Sequence, residues 1–263
     1  MTGANEASGF ALTVVGSSCS IPRPGRACSS YLFEAGGRAI VADLGSGAFS
    51  SLSRYRAVES IDAVLISHMH ADHFIDVIPM RYALKYGDNP PSRKPLLYLP
   101  PGGEAMLRRL TDAFARESNG DFMAEVFDVR TYDPARTLQI GEAAIRFVPT
   151  SHYIPTFAIR CDAAGASVTY SADTAPDDRV VELARNTELF MCECTLTAEA
   201  ESERPRGHLS AREAGLIARK ADARRLLLTH YPATADPADL EAQARAHYPG
   251  PIEVADDGLR ITV

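Results

Sequence analysis

No run of apolar residues in this 263-residue chain approaches the roughly 20 that a helix needs to cross a bilayer, so a transmembrane helix is not expected. The opening stretch, MTGANEASGF, lacks the basic and apolar regions of a secretory signal and reads as a short frayed lead-in. A basic excess is missing as well: 34 acidic against 27 basic residues give a net charge of −7. Phosphate neutralisation drives binding to long nucleic acids, so this balance argues against an extended nucleic-acid footprint. It leaves room for a small phosphorylated substrate held by a few local cations. The five cysteines (Cys19, Cys28, Cys161, Cys192 and Cys194) form neither an even set nor a zinc-ribbon pattern. With no secretory signal they read as reduced thiols in a cytoplasmic protein. Repeats, low-complexity tracts and linkers are also absent, and residues 1–263 read as a single domain with a full-sized core.

What is present is an alternation of short apolar runs and turn signals. Phe10 to Gly16 reads as a strand. Ser29 to Gly36 and Arg38 to Gly45 are two more, joined in a hairpin by Gly36-Gly37. A short helix is expected over Ala48 to Tyr55. SIDAVLISH reads as a buried strand, because Ala63 to Ile66 are continuously apolar. Phe74 to Lys85 has helical spacing, with Pro79 placed to kink it. A Pro- and Gly-rich loop leads to the strand LLYLP, then to a helix over Glu104 to Arg116. Strands are expected at Ala124 to Val129, Leu138 to Ile140, Ala144 to Val148, Thr156 to Cys161 and Ala166 to Ser171, the last two joined by a turn at Asp162 to Gly165. Asp177 to Ala184 reads as a helix, and Glu188 to Cys192 as a strand. Ser210 with Glu213 makes a capping box for a helix to Lys220. Arg225 to Thr229 is a strand, and Asp236-Pro237 starts a final helix. Strand clusters alternating with helices imply sheets covered by helices.

The chemistry concentrates in SHMHADH, Ser67 to His73. Three histidines and an aspartate fall within six residues, directly after an apolar strand. Imidazole nitrogen and carboxylate oxygen are good donors to divalent ions. His68 and His70 alternate and can project to one side, while Asp72 and His73 can turn towards a second centre at a helix start. Three further residues stand at strand ends: His152 after AIRFVPTS, Asp173 after SVTYSA and His230 after RRLLLT. Each alone reads as a cap or a satisfied polar group. With the first cluster they repeat one arrangement, strand followed by ligand, which a surface-loop reading does not explain.

HMHADH with His152, Asp173 and His230 resembles the metallo-β-lactamase superfamily, whose signature is H-x-H-x-D-H followed by His, Asp and His. The opening VVGSSCSIPRPGRACSSYLFEAGGRAIVADLGSG, CECT at Cys192 to Thr195, and GHLSAREAG at Gly207 to Gly215 are similar to its ribonuclease Z-like branch. Within that branch the chain looks most like short bacterial cyclic-nucleotide phosphodiesterases. The resemblance implies a four-layer αββα sandwich with two divalent ions at one edge: Zn²⁺ by default, with Mn²⁺ or Fe²⁺ compatible with the same donors. By position, His68, His70 and His152 would hold one ion, and Asp72, His73 and His230 the other, with Asp173 bridging. A bridged pair lowers the pKa of a shared water, so that hydroxide exists near neutral pH. The expected catalytic residues are Asp72, His208 and Glu193. His208 would stabilise or protonate the leaving group, and Glu193 would pair with it. The alternative for His208 is a hydrogen bond near the next helix start.

Other assignments stay open on the sequence. Asp43, in VADLG, either orients a ligand histidine or caps a turn. Cys192 and Cys194 read as small core residues rather than a redox pair. Arg26 either approaches a substrate phosphate or is a solvated loop charge. His247, Arg108 and Arg109 read as helix-surface residues. The polar loop Thr195 to Arg206 precedes His208 and is placed to close over substrate. Family members are often dimers, which leaves a homodimer open.

The expected function is hydrolysis of a small phosphodiester such as a cyclic nucleotide. The same fold also hosts ester, lactone and other pathway-specific hydrolases. A tRNA 3′-processing endonuclease fits less well. That enzyme carries a long arm between the positions matching His152 and Asp173, and here only twenty residues separate them. An intact ligand set argues against a non-catalytic binding module.

Overall fold

A computed structural model describes residues 9–115, 121–197 and 205–263. Most of the expected N-terminal lead-in, Arg116, and residues 198–204 of the Thr195 to Arg206 loop lie outside them. Gly36 and Gly37 both have positive φ, 55° and 69°. That is the geometry a two-residue hairpin turn requires. They join β2 (Ser30–Ala35) to β3 (Arg38–Ala42), with Ala35 opposite Arg38. β1 (Ala11–Gly16), β4 (Ala63–Leu65), β5 (Leu96–Leu99) and β6 (Asp128–Thr131) extend this sheet.

The second sheet contains β7 (Leu138–Ile140), β8 (Ala143–Pro149), β9 (Phe157–Ala163), β10 (Ala166–Tyr170), β11 (Leu189–Glu193), β12 (Leu226–Thr229) and β13 (Ile252–Val254). The last strand, β14 (Arg260–Thr262), returns to the first sheet and pairs with β1. The orders are β14-β1-β2-β3-β4-β5-β6 and β13-β12-β11-β10-β9-β8-β7. The two sheets are built alike. In the first, pairing is antiparallel from β14 to β3 and parallel from β3 to β6. In the second, it is antiparallel from β7 to β10 and parallel from β10 to β13.

Alternation along the strands sorts the side chains into layers. Tyr31, Phe33, Ile40, Ala42 and Leu65 point between the sheets, where they meet Phe147, Ile159, Tyr170 and Leu227. Leu32, Val41 and Val64 point outward, under α1 (Ala48–Leu52), α3 (Val77–Tyr86) and α4 (Gly103–Asp112). Phe190, Leu226 and Leu228 lie outward on the other side, under α5 (Asp178–Leu183), α6 (Ala211–Lys220) and α7 (Pro237–Arg245). This is the four-layer αββα sandwich. Both faces of the central strands are covered, which is why Ala63 to Ile66 reads as one unbroken apolar run. No helix among the described residues is long and apolar enough to cross a membrane.

Three expected elements differ. The helix expected over Phe74 to Lys85 is two: α2 (Ala71–Phe74) and α3. The break falls at Ile75-Asp76 and not at Pro79, which sits in the first turn of α3, where its missing N–H costs nothing. Leu44 N–H takes the His73 carbonyl, and Asp76 N–H goes to the Leu44 carbonyl, so the loop after β3 draws backbone groups out of the helical ladder. The strand expected at Ala124 to Val129 begins only at Asp128. Asp121 Oδ1 accepts from Met123 N–H and Ala124 N–H, and this side-chain turn pre-empts extended backbone. The helix expected to reach Arg116 ends at Asp112. The capping box at Ser210/Glu213 and the Asp236 N-cap with Pro237 are present.

Candidate metal centre

The site gathers at one rim, where strands of both sheets end. β4 runs into Ser67 and His68, and α2 starts at once, with His70 in its N-cap position. That sharp start turns Asp72 and His73 away from His68 and His70. His152 lies beyond β8, Asp173 beyond β10 and His230 just beyond β12. Asp43, Ala172 and His230 all have left-handed backbone, with φ of 58°, 49° and 51°. Each such residue costs about 1–2 kcal/mol for a side chain with a Cβ, less for Asp and His than for Ala. At these three positions strands turn abruptly to aim side chains at one rim, while Ala164, Asn186 and Asp222 take the same conformation in turns away from it.

Two groups of donor atoms converge there. In the first, His70 Nδ1 is 3.2 Å from His68 Nε2 and 3.0 Å from His152 Nε2. Asp173 Oδ2 is 3.7 Å from His68 Nε2 and 3.8 Å from His152 Nε2. In the second, His73 Nε2 and His230 Nε2 are 3.3 Å apart. Asp72 Oδ2 is 3.5 and 3.4 Å from them, and Asp173 Oδ1 is 3.3 and 3.5 Å from them. Donors around a tetrahedral Zn²⁺ with bonds of about 2.0–2.1 Å stand about 3.3–3.4 Å apart. The second group, at 3.3 to 3.5 Å, matches that spacing, the first, at 3.0 to 3.8 Å, brackets it, and each holds four donors.

The outward ring nitrogens show which atoms face inward. His152 Nδ1 donates to the Gly207 carbonyl at 2.7 Å, which leaves Nε2 as a lone pair. His73 Nδ1 is 2.8 Å from Asp43 Oδ2, His68 Nδ1 is 3.0 Å from Ser67 Oγ, and His230 Nδ1 is 2.8 Å from Thr195 Oγ1. Oxygen partners on the outer nitrogen orient ligand histidines in this way. Inner lone pairs facing one another repel unless a cation or proton lies between them. Asp173 Oδ1 is buried with no hydrogen bond, an unmet acceptor in the middle of the rim. The donor set therefore fits divalent ions.

Electrostatics agree. Burial lowers the pKa of His68, His70 and His152, with neighbouring histidines adding to it. These rings are therefore neutral and free to donate a lone pair. Burial alone would raise Asp72, but His230 and His73 hold it down at about 2. Asp173 is likewise kept well below the usual carboxylate range by His230 and His73, against its burial. His73 is buried too, yet Asp173 and Asp43 push its pKa well up. These two carboxylates favour positive charge at that ring, the same charge a divalent ion would bring to its inner nitrogen.

The beta-lactamase superfamily domain matches residues 33–231, more than half of the chain. This chain belongs to the metallo-β-lactamase superfamily. It is 35% identical to the uncharacterised protein Rv1339 of Mycobacterium tuberculosis, over 95% of this chain and 92% of that protein. Ribonuclease Z of Haloferax volcanii is 29% identical over 95% of this chain and 94% of that enzyme. The crystal structure of YhfI, a metallo-β-lactamase fold protein from Bacillus subtilis, superposes with a TM-score of 0.85 at 27% identity, covering 97% of this chain and 100% of that one. With the His/Asp clusters, this makes the chain a metal-dependent hydrolase of the metallo-β-lactamase fold.

Within that superfamily site, the remaining sequence candidates have definite places. His208 Nδ1 is 3.0 Å from Glu193 Oε1 and 3.9 Å from Asp173 Oδ2. Its ring centroid is 4.9 Å from that of His152. Burial would lower its pKa, but the Glu193 carboxylate outweighs that and lifts it to about 9. Asp43 is no turn cap. It is fully buried and accepts from Ser67 N–H, Ser67 Oγ and Tyr170 Oη as well as His73. Cys192 and Cys194 are buried in the apolar layer under α6, and burial pushes both thiols well up. Arg26 is held by the Tyr231 hydroxyl at 2.7 Å and by Asp256 at 3.0 Å.

Supporting residues escaped the sequence reading. Ser67 and Thr195 each stand within two residues of a site residue in sequence, and that adjacency was the available signal. Tyr170 carries no local signal. Gly45 and Gly207 are needed for close approach: a Cβ on Gly45 would fall 1.9 Å from the Asp72 carbonyl oxygen, and one on Gly207 would fall 2.8 Å from His152 Nδ1.

Proposed function

We propose that the chain is a dinuclear phosphodiesterase acting on a small phosphodiester such as a cyclic nucleotide. His68, His70, His152 and Asp173 would hold one ion. Asp72, His73, His230 and Asp173 would hold the other. The observation that carries this reading is Asp173, whose two oxygens reach different groups of donors with His208 beside them. When bound, Zn²⁺, or Mn²⁺ or Fe²⁺ in the same donors, supplies an acidified water as nucleophile and positive charge against the phosphodiester.

The protein's own residues do the rest. Asp43, Ser67, Gly207 and Thr195 fix the ligand rings. Glu193 accepts the Nδ1 proton of His208 and keeps that imidazole cationic, so Nε2 can deliver a proton to a departing alkoxide. His208, 17% exposed, lies within reach of a small substrate. Kinship to a ribonuclease, a class that cleaves phosphodiesters, supports this chemistry. The connection from β9 to β10 is a tight turn through Ala164 and Gly165, both at positive φ. With the net charge of −7, it favours a small substrate over tRNA. The expected setting is cytoplasmic, with no membrane partner. Ester or lactone hydrolysis is the second reading, since neutral substrates could use the same rim.

The test is elemental analysis of the purified protein together with assays on bis(p-nitrophenyl) phosphate and 3′,5′-cyclic AMP. Two ions per chain with turnover of both substrates supports the proposal. Two ions with turnover only of carboxylic esters or lactones selects the second reading. Less than one ion after reconstitution rules out both.

A further inference from the structure

Glu193 touches more than His208. It is completely buried, and each of its oxygens has two donors. Oε1 accepts from Thr174 N–H at 2.8 Å and His208 Nδ1 at 3.0 Å. Oε2 accepts from Thr195 N–H at 3.2 Å and Thr195 Oγ1 at 2.8 Å. A carboxylate offers about four acceptor positions, and all are used. Thr195 Oγ1 is also 2.8 Å from His230 Nδ1.

A hydroxyl has one hydrogen to give. If Thr195 gave it to His230, the hydroxyl lone pairs would face the Glu193 carboxylate at 2.8 Å with no proton between them. His230 would then carry its own proton on Nε2, pointing at the other donors of the second cluster. Only one arrangement puts a proton in both 2.8 Å contacts: His230 Nδ1–H to Thr195 Oγ, and Thr195 O–H to Glu193 Oε2. A third contact, Thr195 Oγ1 to the His230 carbonyl at 3.0 Å, competes for the same hydrogen but leaves the carboxylate unserved. Charge-assisted bonds are about twice as strong as neutral ones, so the carboxylate takes it.

We infer that Thr195 is a positioning residue which, through its hydroxyl, sets the tautomer of His230, so that one buried carboxylate serves both the proton donor and the second ion site. The inference rests on the two-ion reading above for its second part only. The tautomer is a property of the metal-free chain.

The experiment compares wild type with Thr195→Val, Thr195→Ser and His208→Ala. NMR of the metal-free proteins at mildly alkaline pH, correlating imidazole nitrogens with ring protons, reads the His230 tautomer directly. Chelator competition on the loaded proteins reads how tightly each ion is held. Wild type and Thr195→Ser are expected to carry the His230 proton on Nδ1. Thr195→Val should lose that preference and release one of two ions at about 10- to 100-fold lower chelator concentration, the usual effect of removing a group that orients a ligand. The other ion should be unchanged, and His208→Ala should leave both steps where they are. Nε2–H in wild type overturns the inference. So does a Thr195→Val protein that keeps both tautomer and ion affinity, or a Thr195→Ser protein as impaired as Thr195→Val, since packing would then be the cause. A wild type that takes up a single ion sinks the two-ion reading, and the tautomer spectrum still decides the role of Thr195.

Discussion

Asp43 and Glu193 stand near the middle of the two sheets, each at the rim end of a strand, and each uses the same device. One histidine is held directly, His73 or His208. A second is reached through a hydroxyl: His68 by way of Ser67, His230 by way of Thr195. Burying an unpaired carboxylate costs several kcal/mol, while each hydrogen bond to a charged group returns about 1.5–3 kcal/mol, so four bonds apiece make either arrangement sustainable. The difference lies in exposure. Ser67, His73 and Tyr170, around Asp43, are all fully buried, whereas His208 opens to the mouth. A sealed carboxylate can only hold its rings in place. One whose partner meets solvent can also move a proton to a substrate.

The two carboxylates and the aspartate between them should respond differently to substitution. Removing what the two halves share should do most: Asp173→Ala is expected to drop bound metal below one per chain and kcat/KM for bis(p-nitrophenyl) phosphate by about 1,000-fold or more, measured by elemental analysis and steady-state kinetics on one sample. Next comes the open side. His208→Ala should cut kcat for 3′,5′-cyclic AMP by about 100- to 10,000-fold, and far less for bis(p-nitrophenyl) phosphate, because a nitrophenolate leaves without a proton. Equal losses on both substrates would remove proton delivery from His208. The sealed side should behave differently. Asp43→Asn is expected to weaken ion retention by about 10- to 100-fold while kcat, measured with excess metal, stays within a few-fold. A large fall in kcat there would erase the distinction between the two carboxylates.

The smallest effect is one of pH on the metal-free protein. The folded pKa of His208, about 9, lies above its ordinary 6.5. The stability this supplies is therefore fully present below pH 6.5 and is lost as pH rises through 9. After allowing for solvent screening, the loss should be about 1–2 kcal/mol. Urea unfolding of wild type and His208→Gln at both ends of that range reads it as a difference between the two proteins.

How much of this was legible follows from the range of each signal. The strand-then-ligand pattern at His68, His152, Asp173 and His230 is local, and so are the Gly36-Gly37 hairpin and the Ser210 capping box. All could be read from a few adjacent residues. Asp43 could be singled out but not decided, because its partners Ser67, His73 and Tyr170 lie 24, 30 and 127 residues away. The break between α2 and α3 was hidden for the same reason: backbone groups of the loop after β3 interrupt the helix, and periodicity does not see them. The late start of β6 is a local failure, since Asp121 carried the turn signal ahead of a β-prone run.

The ligand split between the sheets has a mechanical side. Each cluster takes two donors from the segment after β4 and two from the second sheet, counting Asp173 in both. An ion seated in either place is therefore a rivet across the seam between the layers, tying residues near position 70 to residues 80 to 160 places further along the chain. Pulled apart by force, or stripped by a chelator, the molecule should begin to part at this rim, so that the loss of its reagent and the loosening of its frame are a single event.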